Sequence, residues 1–252
     1  MADKDRDDVL EQGDIFFFYR PRVEEDDPEA LGDVQRFHVV LRPEGGSKTR
    51  LLTVARKRLP DIGRHEREWG FVDAVSDDAT AIARSLREEV YETKTRGERR
   101  RPAARPAGEG VYAIALVDGQ MHLVYLLELP DEPGEAQEAL NIAPEASFAL
   151  SVKNPEKGQP VAAGLRDEDK ADYPQRLQEL FRGRRFDQED LALLDYEGAE
   201  FVLIGAREDP RRAYDIALDA EREDYDHSDT LTKLRLAKSR QPIRPLVEGD
   251  WA

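Results

Sequence analysis

The sequence predicts an α+β fold: an N-terminal antiparallel β-rich sheet (meander plus hairpin) with one packed helix, followed by a helix-rich C-terminal part containing one further strand. Three observations carry this expectation. Runs rich in aromatic and β-branched residues recur from residue 13 to 155. An Asp118-Gly119 pair stands between two apolar runs, the strongest hairpin signal in the chain. After residue 156, segments with helix-start and helix-stop residues take over. Residues 1–155 are assigned to a β-rich domain or subdomain and 156–252 to a helix-rich part, and the two can also form one continuous domain.

In order along the chain, residues 1–11 read as a lead-in, and "GDIFFFYRPRV" (13–23) as a strand apolar on both faces and so buried on both. An acidic loop (23–33) leads to "VQRFHVVLRP" (34–43), a strand with Phe37, Val39 and Leu41 on one side. After the "EGGSKT" turn, residues 50–60 return as a third strand, which completes a meander. A short strand covers Trp69–Val75. Asp77 or Asp78 then caps a helix running to Tyr91, with Ala81, Ile82, Leu86 and Val90 as its buried stripe. "TKTRGERRRPAARPAG" (93–108) has few apolar residues and reads as a flexible Arg-rich connector. Strands are expected over 110–119, 120–130 and 146–155, and again at 199–206, where the strand either closes a second unit or joins the first sheet. Helices are expected at 174–183, 187–198 and 209–224, with an extended proline-bearing tail.

Composition narrows the function classes. The chain of 252 residues carries 54 acidic and 38 basic residues, for a net charge of −16, and the acids are spread along its length. Such a balance reads either as adaptation to a salt-rich host or as an acidic binding face, and it speaks against general nucleic-acid binding, which needs clustered cations. The lack of cysteine excludes disulfides, thiolate catalysis and Cys-based zinc sites. The charged N-terminus and the lack of long apolar runs predict a soluble, cytoplasmic protein with no membrane contact.

No catalytic or cofactor motif is present, and the four histidines show no metal spacing. Meander topology brings together the end of the first strand, the start of the second and the end of the third. Arg20, Arg22, Arg36, His38, Arg56 and Arg58 thereby form a candidate basic edge able to grip phosphate or carboxylate. Alternation puts Lys57 on the face opposite Arg56 and Arg58, and pairing with the acidic loop 24–33 is the competing use of these cations. Arg99, Arg100 and Arg101 in the 94–105 stretch are the candidate nucleic-acid contacts. "DYDHSDT" (224–230) reads as a helix cap rather than a metal loop, and His122 with Glu128 gives a weak acid–base pairing. The leading expectation is a binding or interaction protein without catalytic activity. The alternatives are an enzyme or sensor for an anionic small molecule at the basic edge, and a nucleic-acid accessory factor.

Overall fold

The aromatic run of residues 15–19 is buried on both faces: Ile15, Phe17 and Tyr19 face one cluster, and Phe16 and Phe18 another. The structure, a computed structural model, describes residues 8–46, 48–95, 97–158, 164–210, 216, 218, 228–234 and 243–251. In chain order its strands are β1 (Asp8–Pro21), β2 (Val34–Pro43), β3 (Thr49–Val54), β4 (Arg67–Ser76), β5 (Glu89–Thr93), β6 (Gly97–Arg101), β7 (Arg105–Val117), β8 (Gln120–Leu129), β9 (Glu145–Lys153), β10 (Phe186–Asp187) and β11 (Glu200–Arg207). The helices are short: α1 (Ala79–Ser85), α2 (Glu135–Leu140), α3 (Gln175–Gln178), α4 (Asp229–Thr232) and α5 (Arg244–Glu248).

The strand order β9-β11-β4-β3-β2-β1-β7-β8 returns to β9 through the β8–β9 ladder (Leu123↔Phe148, Tyr125↔Ala146), so eight strands close on themselves. Every ladder is antiparallel. The α+β expectation is therefore corrected. Among the described residues, strands make up 43% against about 20% helix, and they form a closed β-barrel rather than a sheet followed by a helix-rich part. The strand foreseen at 199–206 is β11, which joins the first sheet between β4 and β9. Closure removes the exposed sheet edges that a meander would leave.

An eight-stranded barrel is just wide enough for its interior to be filled by side chains. Here Phe17 stacks on Phe37 at 6.3 Å and meets Tyr125 edge-on at 5.0 Å, and Tyr125 stacks on Phe148. Gly70 is required inside: a Cβ there would stand 2.3 Å from the Phe201 ring. Gly119 (φ 76°) follows Asp118 (φ 50°) in the two-residue β7–β8 turn, which needs positive φ at both places.

Outside, α1 covers β1–β3 by packing Ile82, Ala83 and Leu86 on Phe16, Phe18, Val40 and Leu51. Asp78 caps it by accepting from the Thr80 N–H at 2.9 Å. The helix stops at Ser85 instead of reaching Tyr91, and residues 89–93 form β5. Alternating, partly β-branched side chains favour a strand there, and the Ser85 and Arg87 carbonyls are taken by the Arg20 guanidinium. Residues 97–101, expected as connector, pair with β5 as β6, and the chain enters β7 at Arg105 with Ala104 and Ala107 fully buried.

Two further helix expectations resolve into tighter turns. Residues 175–181 are one α-turn followed by a 3₁₀ turn, and 191–195 are 3₁₀. The proline-bearing tail, expected as extended, contains α5 with Pro245 in its first turn. Of the helix expected at 209–224, all but residues 209, 210, 216 and 218 lie outside the described residues, as does His227. Among the described residues no helix is long and apolar enough to cross a membrane.

The two barrel ends differ. At one end Arg50, nearly fully buried, bridges Glu11 (2.6 Å) and Asp195 (2.7 Å), and the Tyr112 hydroxyl donates to Glu11 at 2.6 Å. This network fixes the 191–195 turn as a cork. At the other end α2 and the β3–β4 and β8–β9 loops form the cap, joined by the Leu59 N–H donating to Leu140 and the Asn141 amide donating to the Leu59 carbonyl.

Candidate functional site

The first site is a cleft of about 610 Å³ in the cap, between the β3–β4 loop and the chain from Pro133 to Glu145. Pro60, Ile62, Ile142 and Pro144 give it apolar walls, and Asp61, Glu138, Glu145 and Glu208 bring carboxylates. Asp61 is partly engaged, with Arg64 at 3.5 Å. Among the described residues neither Glu138 nor Glu208 meets a cation. The cleft floor is well fixed: buried Gln137 donates to the Ala107 and Pro245 carbonyls and accepts from the Gly134 N–H. Composition pointed to a possible acidic face, but the convergence of four carboxylates from three chain segments depends on barrel closure.

The second site lies on the outer wall near the same barrel end. As the meander topology predicts, β1, β2 and β3 are neighbours, with Arg20 opposite Arg36 and His38 opposite Thr53. The six predicted cations do not converge, however. Arg20 and His38 are buried on the wall and Arg36 is half-exposed beside them, 3.7 Å from Asp73. Arg22 is exposed. Arg56 and Arg58 leave the wall for the β3–β4 loop, where both grip Glu66 at 2.9 Å, and Arg56 also reaches Glu68 at 3.2 Å. Lys57, at φ 69°, turns away and donates to the Val34 carbonyl. The physical reason is that β3 ends at Val54, so residues 55–58 no longer follow strand alternation.

Arg20 has a structural task. It donates to the carbonyls of Arg87 (3.0 Å), Pro102 (2.5 Å) and Ser85 (2.6 Å), so it fastens both sides of the base of the β5–β6 hairpin to the barrel. Burial, with the charges of Arg101 and Arg36 added, pulls its pKa down to about 10.

His38 carries the most unusual environment. Its Nδ1 lies 3.0 Å from the Thr53 hydroxyl, which donates to Asp73 at 3.2 Å. A carboxylate only accepts, and a hydroxyl has one proton. Thr53 therefore accepts from His38, which fixes the proton on Nδ1 and leaves Nε2 as a bare acceptor. That Nε2 is buried and has no hydrogen-bond partner. Burial, then the charges of Arg20 and Arg36, push the His38 pKa down to about 3, so the ring is neutral. Sequence reasoning missed Thr53 and Asp73. Counting outward from the "EGGSKT" turn sets Thr53 opposite His38, which was the available signal.

The arginine-rich stretch meets carboxylates of the same chain. Arg99 pairs with Glu24 at 2.9 Å, Arg100 with Asp26 and with Glu88 at 3.0 Å, and Arg101 with Glu89 at 2.7 Å while lying over the Tyr91 ring. These cations already have their counter-charges, which removes the clustered free positive charge that phosphate-backbone binding uses. His122 faces outward on β8, its pKa lowered by burial and by Arg207, three strands around the barrel from His38. His65 approaches the Gly205 carbonyl at 2.9 Å. Among the described residues no group of three or more histidines and carboxylates is placed to hold a metal ion. No protein-family model matches the chain, and neither the curated proteins nor the solved structures include a match to it.

Proposed function

We propose that this is a binding protein without catalytic activity, and that its ligand is a positively charged, partly apolar segment of a partner protein held in the cap cleft. The observation that supports this reading is the cleft itself: apolar walls beside four carboxylates, two of which meet no cation among the described residues. Apolar walls with a few convergent polar groups are the usual form of a binding site. The barrel interior is filled by its own side chains, and the cap cleft offers a ligand about 610 Å³ of room at the surface. The net charge of −16 adds a field that draws cations toward the surface.

The test is calorimetric titration with an unstructured peptide of alternating Lys and Leu, against a Glu/Leu peptide of equal length. The Lys/Leu peptide binds, and its affinity falls as salt rises from 50 to 500 mM because exposed charges are screened over about 10 Å at 0.1 M salt. Glu138→Gln with Glu208→Gln weakens it by about tenfold. Equal binding of both peptides, or binding untouched by the double substitution, contradicts the reading.

A further inference from the structure

We infer that the outer-wall cluster of Arg36, His38, Thr53 and Asp73 is a binding site for an oxyanion that carries its own proton, a phosphate or phosphomonoester. This site is separate from the cap cleft and does not depend on that reading.

Three features of the cluster argue for it. The His38–Thr53–Asp73 chain runs one way, each group donating to the next, so the ring nitrogen at its head, His38 Nε2, is an acceptor that asks for a donor. A buried acceptor without a partner carries an uncompensated desolvation cost, so leaving Nε2 unpaired is unfavourable. The charge around it favours an anion. Arg20 and Arg36 flank the ring; Arg20 spends its donors on neutral carbonyls, so no carboxylate contacts its charge directly. Asp73 and Glu89 act on Arg20 from further off, and Arg101 stands on the cationic side with its partner Glu89. Arg36 completes the wall. It is about half-exposed, and its 3.7 Å contact with Asp73 is too long for a good hydrogen bond, so it can turn its fork to an incoming anion.

An anion wanted by guanidinium groups and a donor wanted by Nε2 are met together by one chemistry: a phosphate oxygen still bearing hydrogen. Sulfate has the same size and charge class but no proton near neutral pH, so it meets the guanidiniums and leaves Nε2 unsatisfied.

The experiment titrates the full chain at pH 6.5 and matched ionic strength with inorganic phosphate, phosphoserine and sulfate, reading thermal midpoint and the His38 ring ¹⁵N resonances. Phosphate raises the midpoint at concentrations at least about tenfold below those at which sulfate acts, and it moves the Nε2 resonance as a new hydrogen bond does. A response to phosphate alone assigns the free ion, and a response to phosphoserine as well assigns a phosphorylated ligand. Arg36→Gln weakens both responses, and His38→Phe abolishes the preference over sulfate. If that variant does not fold, the wild-type Nε2 resonance carries the test alone. Equal action of phosphate and sulfate, or an unmoved Nε2 resonance, overturns the inference and leaves a buried water as the occupant.

Discussion

Two buried ionisable side chains oppose each other in how they respond to acid. His38 is held neutral with its pKa pushed down to about 3, while an unfolded histidine titrates near 6.5. A depressed folded pKa means that stability is fully present above pH 6.5 and is lost as pH falls toward 3. The slope is about 1.4 kcal/mol per pH unit within that window. His38→Gln removes this component, so urea melts at pH 6 and pH 4 should differ less in the variant than in the wild type. Glu68, inside the barrel mouth, shows the reverse. Burial raises its pKa to about 6, with Arg56 acting against it. A raised carboxyl pKa contributes stability below pH 4.5 that is lost as pH rises through 6. Glu68→Gln should therefore raise the melting temperature at pH 7.5, and the gain should shrink by pH 5. A lower melting temperature at pH 7.5 would mean that the Arg56 contact outweighs the cost of burial. Neither environment could be seen in the chain alone, because each depends on which wall of the barrel the residue faces.

Among the elements, strands were legible and their closure was not. The β2 span was predicted to the residue, and β4, β8, β9 and β11 within a few residues, because aromatic and β-branched alternation is a local signal. The β8–β9 and β4–β11 ladders join strands through long intervening chain, and nothing in the pattern of one strand names its partner. The helix-like look of residues 187–198 came from capping residues beside leucines, which serve a 3₁₀ turn equally well. A similar long-range device holds α4: buried Glu109 on β7 accepts from Ser228 Oγ at 2.8 Å and from the N–H groups of Asp229 and Thr230 at 3.1 and 2.8 Å. On the outer wall, Lys153 of β9 and Glu200 of β11 form a buried ion pair at 2.5 Å. Removing one partner leaves a stranded buried charge, so Glu200→Gln should cost about 3–5 kcal/mol in chemical denaturation. Lys153→Met with Glu200→Leu should recover most of it. A double variant as unstable as the single one would show that the pair contributes more than mutual charge compensation.

For the whole molecule, a filled barrel makes the interior a packing solution and leaves the surface as the room for a ligand. Gly70→Ala tests the filling, since the added methyl has no space beside Phe201 and should cost about 1–3 kcal/mol of stability. A neutral effect would mean that the interior has slack. The two candidate sites differ in how far the sequence could foresee them. Alternation along one strand, β2, made Arg36 and His38 foreseeable together, whereas the cap cleft needs three chain segments that only closure assembles. Closure is thus the claim on which the cleft rests. It is tested most directly by cross-strand nuclear Overhauser contacts between backbone protons in the isotope-labelled chain. The fold predicts such contacts on both sides of every stave, including Leu123 with Phe148 and Phe201 with Gly70. An open sheet, with no contacts between β8 and β9, would contradict it.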